Sequence, residues 1–393
     1  MAEPNLGFLQ RFSTINNSEA NNVLDVLGGR PLSGYIGGNP KGGYWIERLT
    51  EEWGDAFEVK YAAPCNSATS GLLAACMAIG VKAGDEVWTT PYSMSATAAC
   101  AKVLGAWVRF IDIETDRFGI DPGSLAPAVL AKQTPKAIIV TNLFGHPARL
   151  HAIKRWCDEH DVILIEDNAQ SPFATVDGEH TGTIGDIGVF SLNVHKHIQC
   201  GEGGVIVTND DTLAHRLQCI INHGELAPSR PFIGLNLRMT EPIAAIACAQ
   251  LAKAKEIIEG RREIGLAMCD MVKDVPWIKA HGDQPGCKHV YYLWSALTDT
   301  PPRLYELVAG LNRHGIPARC GYAPLLHKLF KSDDNCPVVE DVDSRIVVFE
   351  VCAYDLRQRH MGAMREIIKR VTGEIDEDRQ SGDQQFQSTI HSG

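Results

Sequence analysis

Between Asn66 and Thr208 apolar positions recur in two alternating rhythms. Leu72, Leu73, Cys76 and Ile79 fall on one side at helical spacing, which predicts a helix from Thr69 to Ile79, and Leu150 to Glu159 reads as a second. Around them stand short strand-like runs: Glu86–Thr89, Val108–Asp112, Ala137–Thr141, Val162–Asp167, Ile187–Leu192 and Gly204–Thr208. Ala137–Thr141 has the apolar pattern of a strand buried on both faces of a parallel sheet. Repeated strand–helix–strand units predict an α/β fold, with a large, doubly wound, mostly parallel sheet and right-handed crossovers. Ligands bind such sheets beyond the carboxyl ends of the strands, where Asp167 and the segment from Ser191 to Lys196 fall.

Glu241 to Val272, rich in Ala, Glu, Lys and Arg, predicts one long helix leading into a smaller C-terminal α+β domain. There His289–Trp294 reads as a strand and Leu304–Arg313 as a helix. The expected division is an N-terminal arm and short helix over 1–30, a large α/β domain over 31–255, and a small domain over 256–372. Residues 373–393 are polar, acidic and Gln-rich without apolar periodicity, and read as a disordered tail.

Composition narrows the function. A net charge of -11 argues against nucleic acid or an anionic membrane as partner. No apolar run reaches the ~20 residues that span a bilayer, and Met1–Asn5 lacks the basic and apolar segments of a signal peptide. The 12 cysteines are scattered singly without zinc spacing, so no metal site is expected and a reducing cytoplasm is.

The chemistry concentrates in two stretches. Phe190-Ser191-Leu192-Asn193-Val194-His195-Lys196-His197-Ile198-Gln199-Cys200-Gly201-Glu202-Gly203-Gly204 places one lysine between a strand and a glycine-rich turn. Val162 to Gln170 reads as a parallel strand ending on an acid, Asp167. A lysine amine and a strand-end carboxylate suit pyridoxal 5'-phosphate: the amine forms a Schiff base, and the acid keeps a proton on the pyridine nitrogen so that the ring accepts electrons. The phosphate needs an anion site. Cys65-Asn66-Ser67-Ala68-Thr69-Ser70-Gly71 supplies small residues, hydroxyls and free N–H groups at a helix start. Taken alone, Asn66–Gly71 reads more readily as an ordinary helix cap, and its coincidence with Asp167 and Lys196 turns the reading towards an anion site.

In these motifs the chain resembles the DegT/DnrJ/EryC1/StrS sugar aminotransferases, of the fold-type-I pyridoxal-phosphate enzymes. The resemblance covers most of residues 30–330. Besides the segments above, it rests on Ser33-Gly34-Tyr35, Thr89-Thr90-Pro91-Tyr92-Ser93-Met94 and Gly234-Leu235-Asn236-Leu237-Arg238-Met239. It implies that Lys196 carries the cofactor, Asp167 pairs with the pyridine nitrogen and Gln170 lies against the ring. It also implies that Ala68, Thr69 and Ser191 hold the phosphate, and that Asn236 reaches the phosphate of a neighbouring subunit, making a homodimer with shared sites. The implied substrates are an amino donor, glutamate or glutamine, and a nucleotide-linked keto sugar.

Three departures stand out. Met94 occupies the place of an aromatic residue that stacks on the cofactor, a role left to Met94 or Tyr92. Asn193 replaces a frequent histidine. The segment Phe349–Asp355 does not follow the family ending. Some relatives carry histidine instead of the lysine and are dehydratases; here His195 and His197 flank the lysine. The alternatives are amination of a cyclitol or other cyclic ketone, and a non-catalytic cofactor-binding member of the fold. A nicotinamide enzyme is disfavoured because no G-x-G-x-x-G follows the first strands. His146 and His327 read as turn or packing residues.

Overall fold

The computed structural model describes residues 5–7, 9–35, 39, 41–126, 134–225, 233–356 and 358–390. The first strands in chain order are β1 (Tyr61–Cys65), β2 (Glu86–Thr89), β3 (Trp107–Phe110), β4 (Ala137–Thr141) and β5 (Ile163–Asp167). They are followed by the short β6 (Thr175–Val176) and β7 (Glu179–His180), then β8 (Ile187–Ser191) and β9 (Gly204–Thr208). A seven-stranded sheet has the order β1-β9-β8-β5-β4-β2-β3. Neighbours from β8 through β5, β4 and β2 to β3 run parallel, and β9 alone runs against both β8 and β1.

Alternate residues of each strand enter different cores. Val205 and Val207 meet Trp53 and Phe57 of the helix Tyr44–Phe57 and Ala247 of the helix Glu241–Ala252. Ile206 faces the other way, towards Leu72, Cys76 and Leu217. With helices on both faces, the central strands β4, β5, β8 and β9 are buried almost throughout, as in a parallel sheet covered on both sides.

The small domain is a four-stranded antiparallel sheet of β10 (Ile278–Ala280), β12 (Trp294–Thr298), β13 (Ala318–Cys320) and β14 (Ile346–Phe349), ordered β10-β12-β14-β13. β11 (Cys287–Lys288) instead joins β6 and β7. Residues 5–7 and 9–12 belong with this domain, because Leu9 lies in its core, Phe12 N–H donates to the Ala353 carbonyl and Asp355 N–H to that of Gln10. The helix Asn17–Leu27 rests on the large domain, where Asn22 Nδ2 donates to Ala245 O at 3.0 Å.

Three expectations are corrected. The long helix is two, Glu241–Ala252 and Ala254–Val272, with Lys253 between them at φ -111°, ψ 8°. That break lets the Lys253 ammonium meet the buried Glu19 carboxylate at 2.6 Å. His289–Leu293 is not a strand, and pairing begins at Trp294. Val290 and Leu293 N–H groups bond instead to Gly145 and Phe144 carbonyls of the large domain, and Tyr291 takes a left-handed φ of 48°. The expected disordered tail begins inside a helix, Gln358–Ile390. Ile367, Ile368, Val371 and Ile375 continue one buried stripe past residue 373, and Asp376 accepts a hydrogen bond from Trp277 Nε1 at 2.8 Å. Residues 391–393 lie outside the described residues.

Among the described residues no helix is long and apolar enough to cross a membrane, and no group of three or more His, Cys, Asp or Glu could hold a metal ion.

Candidate active site

Asp167 ends β5 at the carboxyl edge of the sheet and is buried. Thr97 Oγ1 donates to its Oδ2 at 2.7 Å and the Ala169 N–H to its Oδ1 at 3.2 Å. Behind Thr97 the hydroxyl chain continues to Ser93 at 2.8 Å, which accepts from Thr141 Oγ1 at 3.1 Å. Burial pushes the Asp167 carboxyl above its usual range, against the pull of Thr97, Ala169 N–H and the Lys196 ammonium. A buried carboxylate with that little compensation is suited to a cationic partner.

Lys196 sits between β8 and β9, half-buried, with Nζ 4.4 Å from the centre of the Tyr292 ring. Burial lowers its pKa to about 8, partly opposed by Asp167 and Cys352. The flanking histidines point elsewhere: His195 is exposed, while His197 is buried with Nε2 2.8 Å from the Val290 carbonyl. Among the three, Lys196 is the side chain that shares its field with Asp167.

Gln170 is buried and held at both ends. Its Oε1 accepts from Phe144 N–H at 2.7 Å, and its Nε2 donates to the Tyr322 hydroxyl at 2.6 Å. The neighbouring Glu166 is structural, taking N–H groups of Gly182, Ile184 and Gly185 and the Asn142 amide to pin the chain that leads into β8.

The sheet also delivers an anion cradle. Ala68 and Thr69 form the first turn of the helix Ala68–Ala78, where backbone N–H groups lack intrahelical acceptors. Ser67 caps it by accepting from Ser70 N–H at 3.1 Å. Ser191, at the end of β8, is paired with Gly204 of β9. A Cβ on Gly204 would stand 2.7 Å from Ala68 N, so glycine is what lets the helix start approach Ser191. The cradle, the amine and the buried carboxylate fit the phosphate, aldehyde and pyridine nitrogen of pyridoxal phosphate.

Met94 and Asn236 stand at the margins. Met94 is 56% exposed just before the helix Ala96–Lys102 that carries Thr97. Tyr92, in contrast, is fully buried with its hydroxyl on Asp343 at 3.3 Å, so Met94 is the one of the two open to a ligand. Asn236 is exposed, on a strap that runs beside the cradle: Asn66 N–H donates to Leu237 O at 2.8 Å. Motif reading missed Thr97, Tyr292 and Tyr322. Thr97 had a signal, since it lies one helical turn beyond the Tyr92-Ser93-Met94 motif. The two tyrosines come from the small domain, where no motif was read.

The sequence profile of the DegT/DnrJ/EryC1/StrS aminotransferase family matches residues 37–356. A GDP-perosamine synthase of Caulobacter vibrioides is 34% identical over 352 residues, 85% of this chain and 90% of that protein. The L-glutamine:2-deoxy-scyllo-inosose aminotransferase of Streptomyces kanamyceticus is 30% identical over 298 residues, 71% of this chain and 69% of that one. The solved E. coli GDP-4-keto-6-deoxy-D-mannose-3-dehydratase with bound hydrated PLP has a TM-score of 0.80 at 25% identity, covering 92% of this chain and 100% of its own. The chain therefore belongs to the DegT/DnrJ/EryC1/StrS aminotransferase family, and it is a fold-type-I, pyridoxal-phosphate-dependent aminotransferase.

Proposed function

We propose that this enzyme moves an amino group from glutamate or glutamine to a nucleotide-linked keto sugar. Lys196 carries the cofactor and moves the proton, and Asp167 holds a proton on the pyridine nitrogen. Gln170 and Met94 flank the ring, and Ala68, Thr69 and Ser191 bind the phosphate. The carrying observation is that Lys196 lies within electrostatic reach of Asp167, while His195 is exposed and His197 turns to the Val290 carbonyl. That favours amino transfer over dehydration.

Pyridoxal phosphate, when bound, stabilises negative charge developing on the carbon that loses a proton. The protein's part is acid–base work and positioning. With a pKa near 8, Lys196 Nζ is partly neutral at physiological pH, so it can take the proton from the donor's α-carbon. In the second half-reaction the protonated amine of Lys196 delivers a proton to the former carbonyl carbon of the sugar. Thr97 and Ala169 N–H fix the Asp167 oxygens, and Tyr292 covers the lysine.

The nucleotide-sugar reading draws on the likeness to GDP-perosamine synthase. Incubating the enzyme with 2-oxoglutarate and a panel of nucleotide-linked amino sugars tests it in reverse. Formation of glutamate from one or more panel members is expected. Turnover restricted to the amino product of 2-deoxy-scyllo-inosose would move the substrate to the cyclitols.

Asn236 serves the neighbouring subunit's phosphate in a cytoplasmic homodimer. Mixing inactive Lys196→Ala and inactive Asn236→Ala chains then restores activity, because one site of the mixed dimer carries both defects and the other neither. No recovery in mixed dimers verified by native mass spectrometry would put Asn236 outside the shared site.

A further inference from the structure

The small domain brings to the rim of this site a cation with no part in the cofactor assignments. Arg319 stands on β13 opposite Val348 of β14. Its Nη2 is 3.0 Å from Glu350 Oε1, with the two side chains 46% and 38% exposed. Its guanidinium carbon lies 5.9 Å from the centre of the Tyr322 ring, and the Tyr322 hydroxyl holds Gln170. Its field also reaches Tyr292, the ring beneath Lys196. The Tyr322 side chain thus stands between Arg319 and Gln170.

An exposed ion pair adds little to stability, so an incoming anion can take the place of Glu350 at small cost. The donor half-reaction calls for such a cation. An amino acid that presents its α-carbon to Lys196 carries a carboxylate on that same carbon, and a guanidinium meets a carboxylate with two parallel N–H donors. The diphosphate of a nucleotide sugar is the competing anion, but it lies a whole sugar ring from the reacting carbon.

We propose that Arg319 binds the carboxylate of the amino donor, with Glu350 as the exchangeable counter-ion that holds the guanidinium in place between turnovers. This rests on the amino-donor reading above. Glutarate, a dicarboxylate without an amino group, reports the contact without turnover when titrated into holoenzyme and followed by tryptophan fluorescence.

Arg319→Gln should weaken glutarate binding by about 10- to 100-fold, with Arg319→Lys intermediate and Glu350→Gln tighter than wild type. The cofactor absorbance and melting temperature of the variants should match wild type. In turnover, the KM for L-glutamate should rise in Arg319→Gln while that for the nucleotide sugar holds. Undiminished glutarate affinity in Arg319→Gln overturns the proposal, as does wild-type enzyme with no measurable affinity. A rise confined to the KM of the nucleotide sugar also overturns it and places the guanidinium on the diphosphate. Wild-type cofactor absorbance that responds to neither glutamate nor glutamine would defeat the donor reading itself, while the glutarate titration still reads Arg319.

Discussion

The floor and the rim of the site are built on different physical grounds. The floor belongs to the large domain. Asp167 ends a strand, and its partner Thr97 continues a hydroxyl chain to Ser93 and Thr141, itself at the end of β4. Sheet register sets these positions, and burial makes each hydrogen bond matter. The rim belongs to the small domain, where Tyr292 and Tyr322 stand in irregular backbone. Contacts to the turn Leu143–Gly145 and to Gln170 hold them. In the proposed reading the difference separates two tasks: the floor sets the electronic demand on the cofactor, and the rim sets what reaches it.

The floor breaks most sharply at Asp167. Asp167→Asn should keep the cofactor and lose about 10² to 10⁴ in kcat, because a neutral amide gives the pyridinium no counter-charge. Single-turnover absorbance measurements check this, and near-wild-type rates would remove Asp167 from the chemistry.

Gly145 tests whether floor and rim must touch. At φ +97°, a Cβ there would stand 2.7 Å from Tyr292 N and 2.8 Å from Tyr291 N. Gly145→Ala should push the rim off the floor and cost up to about 10²-fold in turnover, together with a lower melting temperature. An active variant with unchanged melting would show that the two surfaces tolerate separation.

Lys196 sharpens the comparison through pH. Burial depresses its pKa to about 8, so below that pH the amine is mostly protonated and cannot attack an aldehyde. Reconstitution of apoenzyme should quicken roughly tenfold per unit as pH rises towards about 8 and level off above it. A rate still climbing near pH 10, about where an unperturbed lysine titrates, would contradict the burial.

The smallest effect is expected at Tyr322. Tyr322→Phe removes the acceptor of the Gln170 amide and should lower turnover by about 3- to 10-fold, roughly one hydrogen bond. No change in kinetics or stability would make the contact incidental.

Why the floor was legible and the rim was not follows from the same contrast. Asp167, Lys196, Ser191 and the Ala68 helix start lie at ends of strongly patterned strands and helices, so local periodicity locates them. The match of Leu150–Glu159 to its expected bounds shows how far that signal carries. Lys253 interrupts a helix for the sake of Glu19, a partner remote in sequence that no local pattern reveals. The unbroken apolar and aromatic run Val290–Trp294 imitates a strand, but its backbone partners are Phe144 and Gly145. Tyr292 was hidden for that reason. The helix past residue 373 escaped because one apolar residue, Ile375, sits among acids and still completes a buried stripe.

The central claim is that Lys196, and not its histidine neighbours or another lysine, is the amine that bears the cofactor. Borohydride reduction of holoenzyme followed by peptide mapping tests it directly. The expected result is a single modified peptide carrying reduced cofactor on Lys196, with the label abolished in Lys196→Ala. A label on any other lysine, or none on protein that holds the cofactor, would contradict it.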